Sequence, residues 1–545
     1  MTNILFFDTE TTEDGKHLID IGAVSEDGAS IHTSDRNAFA SFAAEHEYLC
    51  GHNILSHDLK YVDEELQREL QGVREHGYID TLLLSPLLFP SRPYHRLLKN
   101  DKLQTGELNN PVNDARKAKD LFFDEVTAFK RLDKKNQHIY SALLYQRPEF
   151  SGFFRYLGMT PRQDVEAAIG NEINNKIADA IANAFRDQIC AGVDLRSLIR
   201  DYPIELAYCL ALIHTGDKHT AIAPWVAMNY PKVHTIYNAL CNTPCSAGCP
   251  YCNAHFGIKQ KLKEFFGYDG FKTYNDEPLQ QDAVQAAVDG KSVLAVFPTG
   301  GGKSLTFQLP ALISGEAAHG LTVVISPLQS LMKDQVDNLS QRGIATATTI
   351  NGSLNPVERQ EAIDMVENGV ASILYIAPES LRSASIERLL KSRNVVRFVI
   401  DEAHCFSAWG QDFRVDYRYI GPFIKKLQED KELVKPIPVS CFTATAKQHV
   451  ISDIREYFRT ECGVELELFT TDATRTNLRY EALFREDDEK KYMTLRDLIL
   501  AKDCPTIVYV SRTKKTLELA TRLTEDGIPA VPYHGQMDKI GRAHV

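Results

Sequence analysis

The sequence predicts a multidomain α/β protein, and three observations support that class. The chain has 545 residues, 43% hydrophobic and 25% charged, enough to bury several cores at about 150 residues per domain. Short apolar runs alternate with amphipathic stretches in residues 1–125, a rhythm typical of successive strands and helices. Five apolar strands separated by helical intervals in residues 258–465 predict a parallel sheet with helices on both faces.

These patterns divide the chain into segments. They are an α/β unit (1–125), a helical connector (126–240), a cysteine-rich segment (241–257), a second α/β unit (258–465), the start of a third (495–538) and a tail (539–545). The predicted strands are Ile4–Phe7, Leu18–Val24, Val293–Phe297, Thr322–Ile325, Ser372–Ile376, Phe398–Ile400, Val439–Thr443 and Ile507–Val510. An amphipathic stretch over 58–70 and a helical pattern over 165–185 complete the prediction.

Composition and charge exclude several classes of protein. The proportions are those of globular proteins, not of collagen-like, disulfide-stapled or disordered ones. No run of about 18 apolar residues predicts a membrane span, and Met1–Phe7 lacks the charged start of a signal peptide. Eleven cysteines, an odd number, fit a reducing bacterial cytoplasm. With a net charge of −12, a nucleic acid would have to bind through local patches.

Two acids in the first predicted strand indicate a metal site. Asp8 and Glu10 are two residues apart, so they share one face of the strand. Two carboxylates on an apolar strand are costly unless a cation lies between them. Two divalent metals about 4 Å apart would explain the pair and support phosphodiester hydrolysis. Asp58, after Gly51-His52-Asn53, and Asp114 supply a third and a fourth acid.

This set resembles the metal acids of DnaQ-like three-prime to five-prime exonucleases, over about residues 1–130. The resemblance implies an RNase H-like fold and a Mg²⁺ or Mn²⁺ site built from Asp8, Glu10, Asp58 and Asp114. That family has a general base, histidine or tyrosine, five or four residues before the last acid, where this chain has Asn109 and Asn110. His95 is a possible substitute from another part of the chain.

Three interpretations of the acids stay open on sequence alone. An active nuclease would activate water through metal, without a side-chain base. A nuclease-derived module would bind DNA without cleaving it. An ordinary acidic strand end is the third.

Four cysteines within twelve residues predict a metal centre. Their spacing is C-x3-C-x3-C-x2-C, formed by Cys241, Cys245, Cys249 and Cys252. Tetrahedral Zn²⁺ is the expected ion, and a [4Fe–4S] cluster, which also takes four cysteines, is the alternative. Reduced free thiols are the third interpretation. We expect the centre to brace the joint between the two α/β units.

A phosphate-binding loop follows the strand Val293–Phe297. It reads Pro298-Thr299-Gly300-Gly301-Gly302-Lys303-Ser304, and a predicted helix follows it. Glycines let backbone N–H groups turn towards phosphate oxygens, and a helix N-terminus favours negative charge. Lys303 would reach the β- and γ-phosphates and Ser304 would bind Mg²⁺. The general pattern has glycine at position 297, so only the Gly-Lys-Ser end of the loop matches it.

Two further acids, Asp401 and Glu402, end another apolar strand. Asp401 can hold Mg²⁺ through water, and Glu402 can polarise the attacking water. A helix cap is the alternative role for this pair.

The motifs of the second α/β unit resemble, in order, those of RecQ-family DNA helicases. The matching stretches are Phe266-Gly267-Tyr268 with Phe271, Lys272 and Gln280; Pro298–Ser304; Ser326-Pro327-Leu328; Asp401–His404; Cys405–Arg414; and Phe442–Ala446. The resemblance covers about residues 260–540. It implies a RecA-like fold, ATP and Mg²⁺ as cofactors, single-stranded or forked DNA as partner, and three-prime to five-prime translocation.

The resemblance also assigns roles to the first stretch. Tyr268 and Lys272 would stack on adenine, and Gln280 would hydrogen-bond the base edge. Lys272 stands where the family has arginine, which has a planar stacking face that lysine lacks. The stretch Thr273–Pro278 is an addition between Lys272 and Gln280.

An aromatic-rich loop is the most specific part of the resemblance. In the family it couples DNA binding to ATP hydrolysis, which implies that Trp409, Phe413 and Arg414 contact DNA. Stacking of unpaired bases on such rings contributes about 1–3 kcal/mol per base. The alternative for both rings is core packing, and Gln411 stands where the family tends to have histidine.

The carboxy-terminal stretch resembles the opening of the family's second motor lobe, over 506–520 and Tyr533-His534-Gly535. The arginine finger that the family places further on is absent from the sequence, so we expect ATP binding with turnover reduced by roughly 10³–10⁵. The tail is expected to be non-native, because Ile540–Val545 can be encoded by DNA that resembles a sequencing adapter.

Together these features predict an ATP-dependent DNA helicase fused to a three-prime to five-prime exonuclease, acting in DNA repair or recombination. One alternative is a scaffold that binds DNA and ATP without turnover. The other is an RNA-directed helicase, since Asp-Glu-Ala-His motors also act on RNA.

Overall fold

Two β-sheets, one mixed and one parallel, organise the protein in the computed structural model. The described residues are 3–12, 14–70, 77–92, 110–159, 170–216, 220–406, 414–444, 448–471, 479–502 and 504–534. They fall into two units, Met1–Ala473 and Thr474–Val545. Within these ranges, no helix combines the length and apolar character needed to cross a membrane.

The amino-terminal sheet is mixed. Its strands are β1 (Ile4–Thr11), β2 (Leu18–Ser25), β3 (Ser30–Thr33), β4 (Tyr48–Gly51) and β5 (Gly77–Asp80). Their order is β3-β2-β1-β4-β5; the first three pair antiparallel, while β4 and β5 run parallel to β1. The α/β prediction for this part of the chain is confirmed.

Four helices accompany this sheet: α1 (Arg36–Ala44), α2 (Asp63–Leu70), α3 (Thr81–Leu88) and α4 (Pro111–Arg131). Helix α4 packs across β1 and β2, with the rings of Phe6 and Phe122 5.6 Å apart. Gly22 on β2 pairs with Asp8 and lies directly under the first turn of α4. The first turn of α4 is thereby held close to the acidic end of β1.

The connector is helical, as predicted. Its helices are α5 (Lys134–Leu144), α6 (Pro148–Tyr156), α7 (Gly170–Ala184), α8 (Leu195–Asp201), α9 (Pro203–Thr215), α10 (Pro224–Asn229) and α11 (Val233–Cys241). Helix α12 (Pro250–Phe256) follows in the cysteine-rich segment, and α13 (Ile258–Phe266) begins the second α/β unit. One hydrophobic core runs from the first sheet through these helices to the second sheet, and includes Phe6, Phe153, Leu210, Leu240 and Val293. The predicted boundary at 125 falls inside α4, which continues to Arg131.

The second sheet is entirely parallel. Its strands are β6 (Ser292–Val296), β7 (Leu321–Ile325), β8 (Ala347–Ile350), β9 (Ile373–Ile376), β10 (Val395–Ile400), β11 (Val439–Thr443) and β12 (Leu466–Thr470), in the order β12-β6-β11-β10-β7-β9-β8. The parallel sheet is confirmed, and β8 and β12 add to the five predicted strands. Strand β12 lies beyond the predicted end of this unit at residue 465.

Helices cover this sheet and connect its strands. They are α14 (Leu279–Val288), α15 (Lys303–Ala318), α16 (Gln329–Gln341), α17 (Pro356–Glu367), α18 (Ala384–Ser392), α19 (Arg414–Asp430) and α20 (Gln448–Cys462). Short 3₁₀ helices span Leu59–Tyr61, Pro378–Arg382 and Ala403–Phe406. Since β6, β11 and β10 are neighbours, their carboxyl ends meet at one edge, where ligands bind in open α/β sheets.

The second unit contains two helices among its described residues, α21 (Asp488–Lys502) and α22 (Thr513–Glu525). The predicted strand Ile507–Val510 is wrong: these residues form no ladder, and Ile507 and Tyr509 are 80% and 90% exposed. A strand requires a neighbour for its backbone groups. The described residues of this unit offer none.

Gly22→Ala is expected to destabilise the protein, because a Cβ there would lie 2.1 Å from the backbone nitrogen of Val112 and would displace the start of α4. Overpacking of this kind costs about 1–3 kcal/mol. Urea unfolding followed by circular dichroism measures the loss. Gly270→Ala is the matched control, since its Cβ would meet nothing within 4 Å. Equal midpoints for the two variants would contradict the prediction.

Candidate active sites

The phosphate loop joins β6 to α15. Gly300 and Gly302 have φ angles of +78° and +86°, a region that glycine adopts without strain. Gly302 is the N-cap of α15, and a Cβ at this position would lie 2.4 Å from Gln280 Nε2. The helix therefore begins at Lys303 and Ser304, with its amino end at the loop, as binding of phosphate requires.

Three successive carbonyls of the loop accept hydrogen bonds from the segment that precedes it. Lys272 Nζ donates to Gly300 O (2.8 Å), the Tyr274 hydroxyl donates to Gly301 O, and Gln280 Nε2 donates to Gly302 O (3.0 Å). The C=O and N–H of a trans peptide point in opposite directions. These bonds therefore direct the N–H groups of the same peptides away from residues 272–280.

Two of the residues predicted to bind adenine, Lys272 and Gln280, hydrogen-bond to the phosphate loop. Gln280 is 1% exposed, and its Oε1 accepts from Lys272 N (2.8 Å), so both ends of its amide are bonded to protein. Tyr268 is 42% exposed, as stacking on a base requires. Arg342, which the sequence analysis missed, donates to the Tyr268 hydroxyl (3.0 Å). Arg342 lies at the end of α16, 74 residues after Tyr268, so no local sequence pattern links the two residues.

The added stretch Thr273–Pro278 forms a tight turn over the loop. Asn275 and Asp276 have positive φ angles, and Tyr274 and Glu277 bridge across them. The Tyr274 ring stacks on Phe297, with centroids 4.9 Å apart. Sequence reasoning identified this addition but not the hydrogen bond that Tyr274 donates to the phosphate loop.

The acids Asp401 and Glu402 lie at the end of β10. Burial and the neighbouring Glu402 carboxylate raise the pKa of Asp401 to about 6, which the Lys303 ammonium opposes. His404 Nδ1 lies 3.1 Å from Glu402 Oε2, and this hydrogen bond lowers the pKa of Glu402. The same nitrogen is 3.2 Å from Thr443 Oγ1 at the end of β11. A chain of side chains thus links the two strand ends.

The predicted DNA contacts stay predictions. Trp409 and Phe413 lie outside the described residues, and so does the side chain of Arg414, where α19 begins. Asn109 and His95 of the amino-terminal unit also lie outside them.

A cluster of three carboxylates lies between β1 and α4. Asp8, Glu10 and Asp114 each offer an oxygen, and these oxygens lie within 4.8 Å of one another. Asp114, 9% exposed, comes from the first turn of α4, and Lys117 Nζ is 3.4 Å from it. Three oxygen donors at this distance suit Mg²⁺ or Mn²⁺.

Asp58 does not join this cluster, contrary to the prediction. Its carboxylate accepts from the backbone N–H (2.9 Å) and hydroxyl (2.6 Å) of Thr9. Thr9 alternates with Asp8 and Glu10 along β1, so its side chain lies on the opposite face of the sheet. Burial raises the pKa of Asp58 to about 6. In the structure Asp58 braces the acidic end of β1 from behind.

Two further polar residues of this unit, Asp80 and Asn110, hold local structure through hydrogen bonds to the backbone. Asp80, buried at the end of β5, accepts from Asn53 N (2.8 Å) and Leu55 N (3.1 Å), and so orders the turn before Asp58. Burial raises its pKa to about 6. Asn110 caps α4 by accepting from Val112 N (3.0 Å), which is a structural role.

The cysteine cluster has a different fourth member from the one predicted. The sulfur atoms of Cys190, Cys245, Cys249 and Cys252 lie within 4.8 Å of one another. Cys241 is excluded: it ends α11, is buried, and its Sγ lies 3.6 Å from Gln188 O. Cys190 N donates to Leu240 O (2.8 Å), so the loop after α7 is held next to the end of α11.

Comparison with known proteins finds similarity to helicases, and the family match lies within the second α/β unit. Residues 277–454 match the DEAD/DEAH box helicase family. The probable ATP-dependent DNA helicase RecS of Bacillus subtilis is 35% identical over 286 residues, 52% of this chain and 53% of RecS. The ATP-dependent DNA helicase RecQ of Haemophilus influenzae is 34% identical over 288 residues, 52% of this chain and 42% of that protein. Over about half of its length the chain is therefore similar to RecQ-family DNA helicases.

The range that matches the helicase family contains the phosphate loop, the two acids and Thr443. The chain spans about half the length of these curated relatives. Among solved structures, the DUF1998 helicase MrfA aligns with a TM-score of 0.40 and 21% identity, covering 53% of this chain and 43% of MrfA.

Tyr274→Phe is expected to weaken ATP binding severalfold. Phenylalanine keeps the stacking on Phe297 but loses the donor to Gly301 O, a bond that contributes about 1 kcal/mol to holding the loop. Isothermal titration with a non-hydrolysable ATP analogue measures the affinity. Tyr480→Phe, at an 85% exposed tyrosine, is the matched control. Unchanged affinity in Tyr274→Phe would show that the loop is ordered without this contact.

Proposed function

We propose that the chain is an ATP-driven DNA helicase of RecQ type joined to a metal-dependent three-prime to five-prime exonuclease, which acts on single-stranded or forked DNA in repair or recombination. The motor proposal rests on one observation above all. The phosphate loop, Asp401 with Glu402, and Thr443 meet at the ends of adjacent strands. Homology to RecQ-family helicases supports DNA as the polymer.

Each motor residue then has a role that follows from its position. Lys303 neutralises the β- and γ-phosphates, and the loop amides donate to their oxygens. Ser304 and Asp401 would hold Mg²⁺, which supplies charge neutralisation at the phosphates. The Glu402 carboxylate, whose pKa the His404 hydrogen bond lowers, can accept a hydrogen bond from the attacking water. His404 connects Glu402 to Thr443 and so links hydrolysis to β11.

The nuclease proposal rests on the cluster of Asp8, Glu10 and Asp114. These carboxylates would hold one or two divalent cations, which lower the pKa of a bound water and stabilise the leaving oxygen. Asp58 fixes the strand that carries two of the three through Thr9. Because Asn110 is a helix cap, water activation through metal is the mechanism that fits.

The motor is tested by ATP hydrolysis with and without single-stranded DNA. We expect stimulation by DNA, and we expect Lys303→Ala to lower hydrolysis by about 10²-fold or more, because the phosphate charge loses its partner. Lys259→Ala, an exposed lysine outside the loop, is the control. If DNA does not stimulate ATP hydrolysis, the motor proposal is wrong. If RNA stimulates hydrolysis more strongly than DNA, the RNA-directed alternative is favoured.

The nuclease is tested on a five-prime-labelled oligonucleotide with Mn²⁺. Shortening from the three-prime end is expected, and Asp114→Asn should abolish it because one carboxylate of the cluster is lost. Asp120→Asn, an exposed acid on the same helix, should cleave normally. Binding without cleavage by the unmodified protein would identify a non-cleaving DNA-binding module instead.

A further inference from the structure

We propose that Cys190, Cys245, Cys249 and Cys252 hold a single tetrahedral Zn²⁺ ion that fastens the helical connector to the motor region. This site is separate from both catalytic clusters, and the inference does not depend on the proposed function. Its fourth ligand comes from a part of the chain more than fifty residues before the other three.

The distances between the sulfur atoms select the kind of metal centre. All four lie within 4.8 Å of one another, and the sulfurs of Cys190 and Cys252 are 3.5 Å apart. Four sulfurs about 2.3 Å from a central Zn²⁺ stand about 3.8 Å from one another in a tetrahedron. A [4Fe–4S] cluster keeps its cysteine sulfurs about 6 Å apart, because each binds a different corner iron. The spacing therefore fits one ion and is too small for the cluster.

Each of the four sulfur atoms also accepts a backbone N–H. Gly192 N donates to Cys190, Cys249 N to Cys245, Ala191 N to Cys249, and Cys245 N to Cys252, at 3.4–3.5 Å. Such bonds orient thiolates that bind a metal and offset part of their negative charge. The loop after α7 and the turn before α12 both contribute these donors, so both are shaped around the sulfurs.

Gly192 shows how closely the two segments approach. A Cβ at this position would lie 2.7 Å from the Cβ of Cys245. Only glycine lets the backbone after Cys190 come this near to the second segment. This close approach brings Cys190 next to the segment that carries the other three cysteines.

The location of the site indicates what the ion stabilises. Helix α12 contains Cys252, and α12 and α13 both pack against α15, the helix that follows the phosphate loop. Cys190 belongs to the loop between α7 and α8 of the connector. The ion would therefore tie the connector to helices that support the phosphate loop, and structural Zn²⁺ contributes folding free energy directly.

Elemental analysis of the purified full-length chain tests the proposal. We expect one zinc per chain, no iron and no absorbance at about 400 nm. Cys190→Ser should lose the zinc, whereas Cys241→Ser, the matched control, should keep it. Iron with acid-labile sulfide in the unmodified protein would overturn the proposal, and so would a protein free of metal.

A third variant distinguishes the loss of a zinc ligand from a general folding defect. Cys190→His retains a ligand that Zn²⁺ accepts, so it should bind one metal ion. After cobalt substitution its visible absorption should differ from that of the unmodified protein, because one sulfur ligand has become nitrogen. An unchanged cobalt spectrum in Cys190→His, or zinc lost from Cys241→Ser and kept in Cys190→Ser, would show that Cys190 is not a ligand.

Discussion

The pairing of β6, β11 and β10 is the constraint on which the motor site depends. Because β11 lies between the other two, its last residue, Thr443, is placed between the phosphate loop and the acids of β10. The backbone ladder fixes this spacing, and His404 needs only a short reach to contact both Glu402 and Thr443. Side-chain contacts among the three strand ends therefore follow from the order of the strands.

Features with a local signal could be predicted from the sequence. Val293–Phe297 followed by three glycines, lysine and serine specifies a strand, a turn and a helix start within a dozen residues. The alternation of side chains along β1 correctly places Asp8 and Glu10 on one face. The same rule accounts for the error at Asp58, because only the folded chain shows that it approaches β1 from the face of Thr9.

Features that depend on distant parts of the chain could not be predicted. Spacing grouped Cys241 with three later cysteines, yet the helix that it ends directs its sulfur elsewhere, and Cys190 takes its place. Arg342 reaches Tyr268 from the end of another helix. The run Ile507–Val510 has the composition of a strand, but composition supplies no neighbour to pair with.

The continuous hydrophobic core changes how the protein can be divided. Leu210 and Leu240 of the connector belong to the same buried cluster as Phe6 of the first sheet and Val293 of the second. A cut at residue 240 would leave apolar surfaces on both fragments exposed to water, and such surfaces favour aggregation. The two sheets therefore share part of their stability through the connector, and a boundary drawn in the connector cuts through a core and not through a linker.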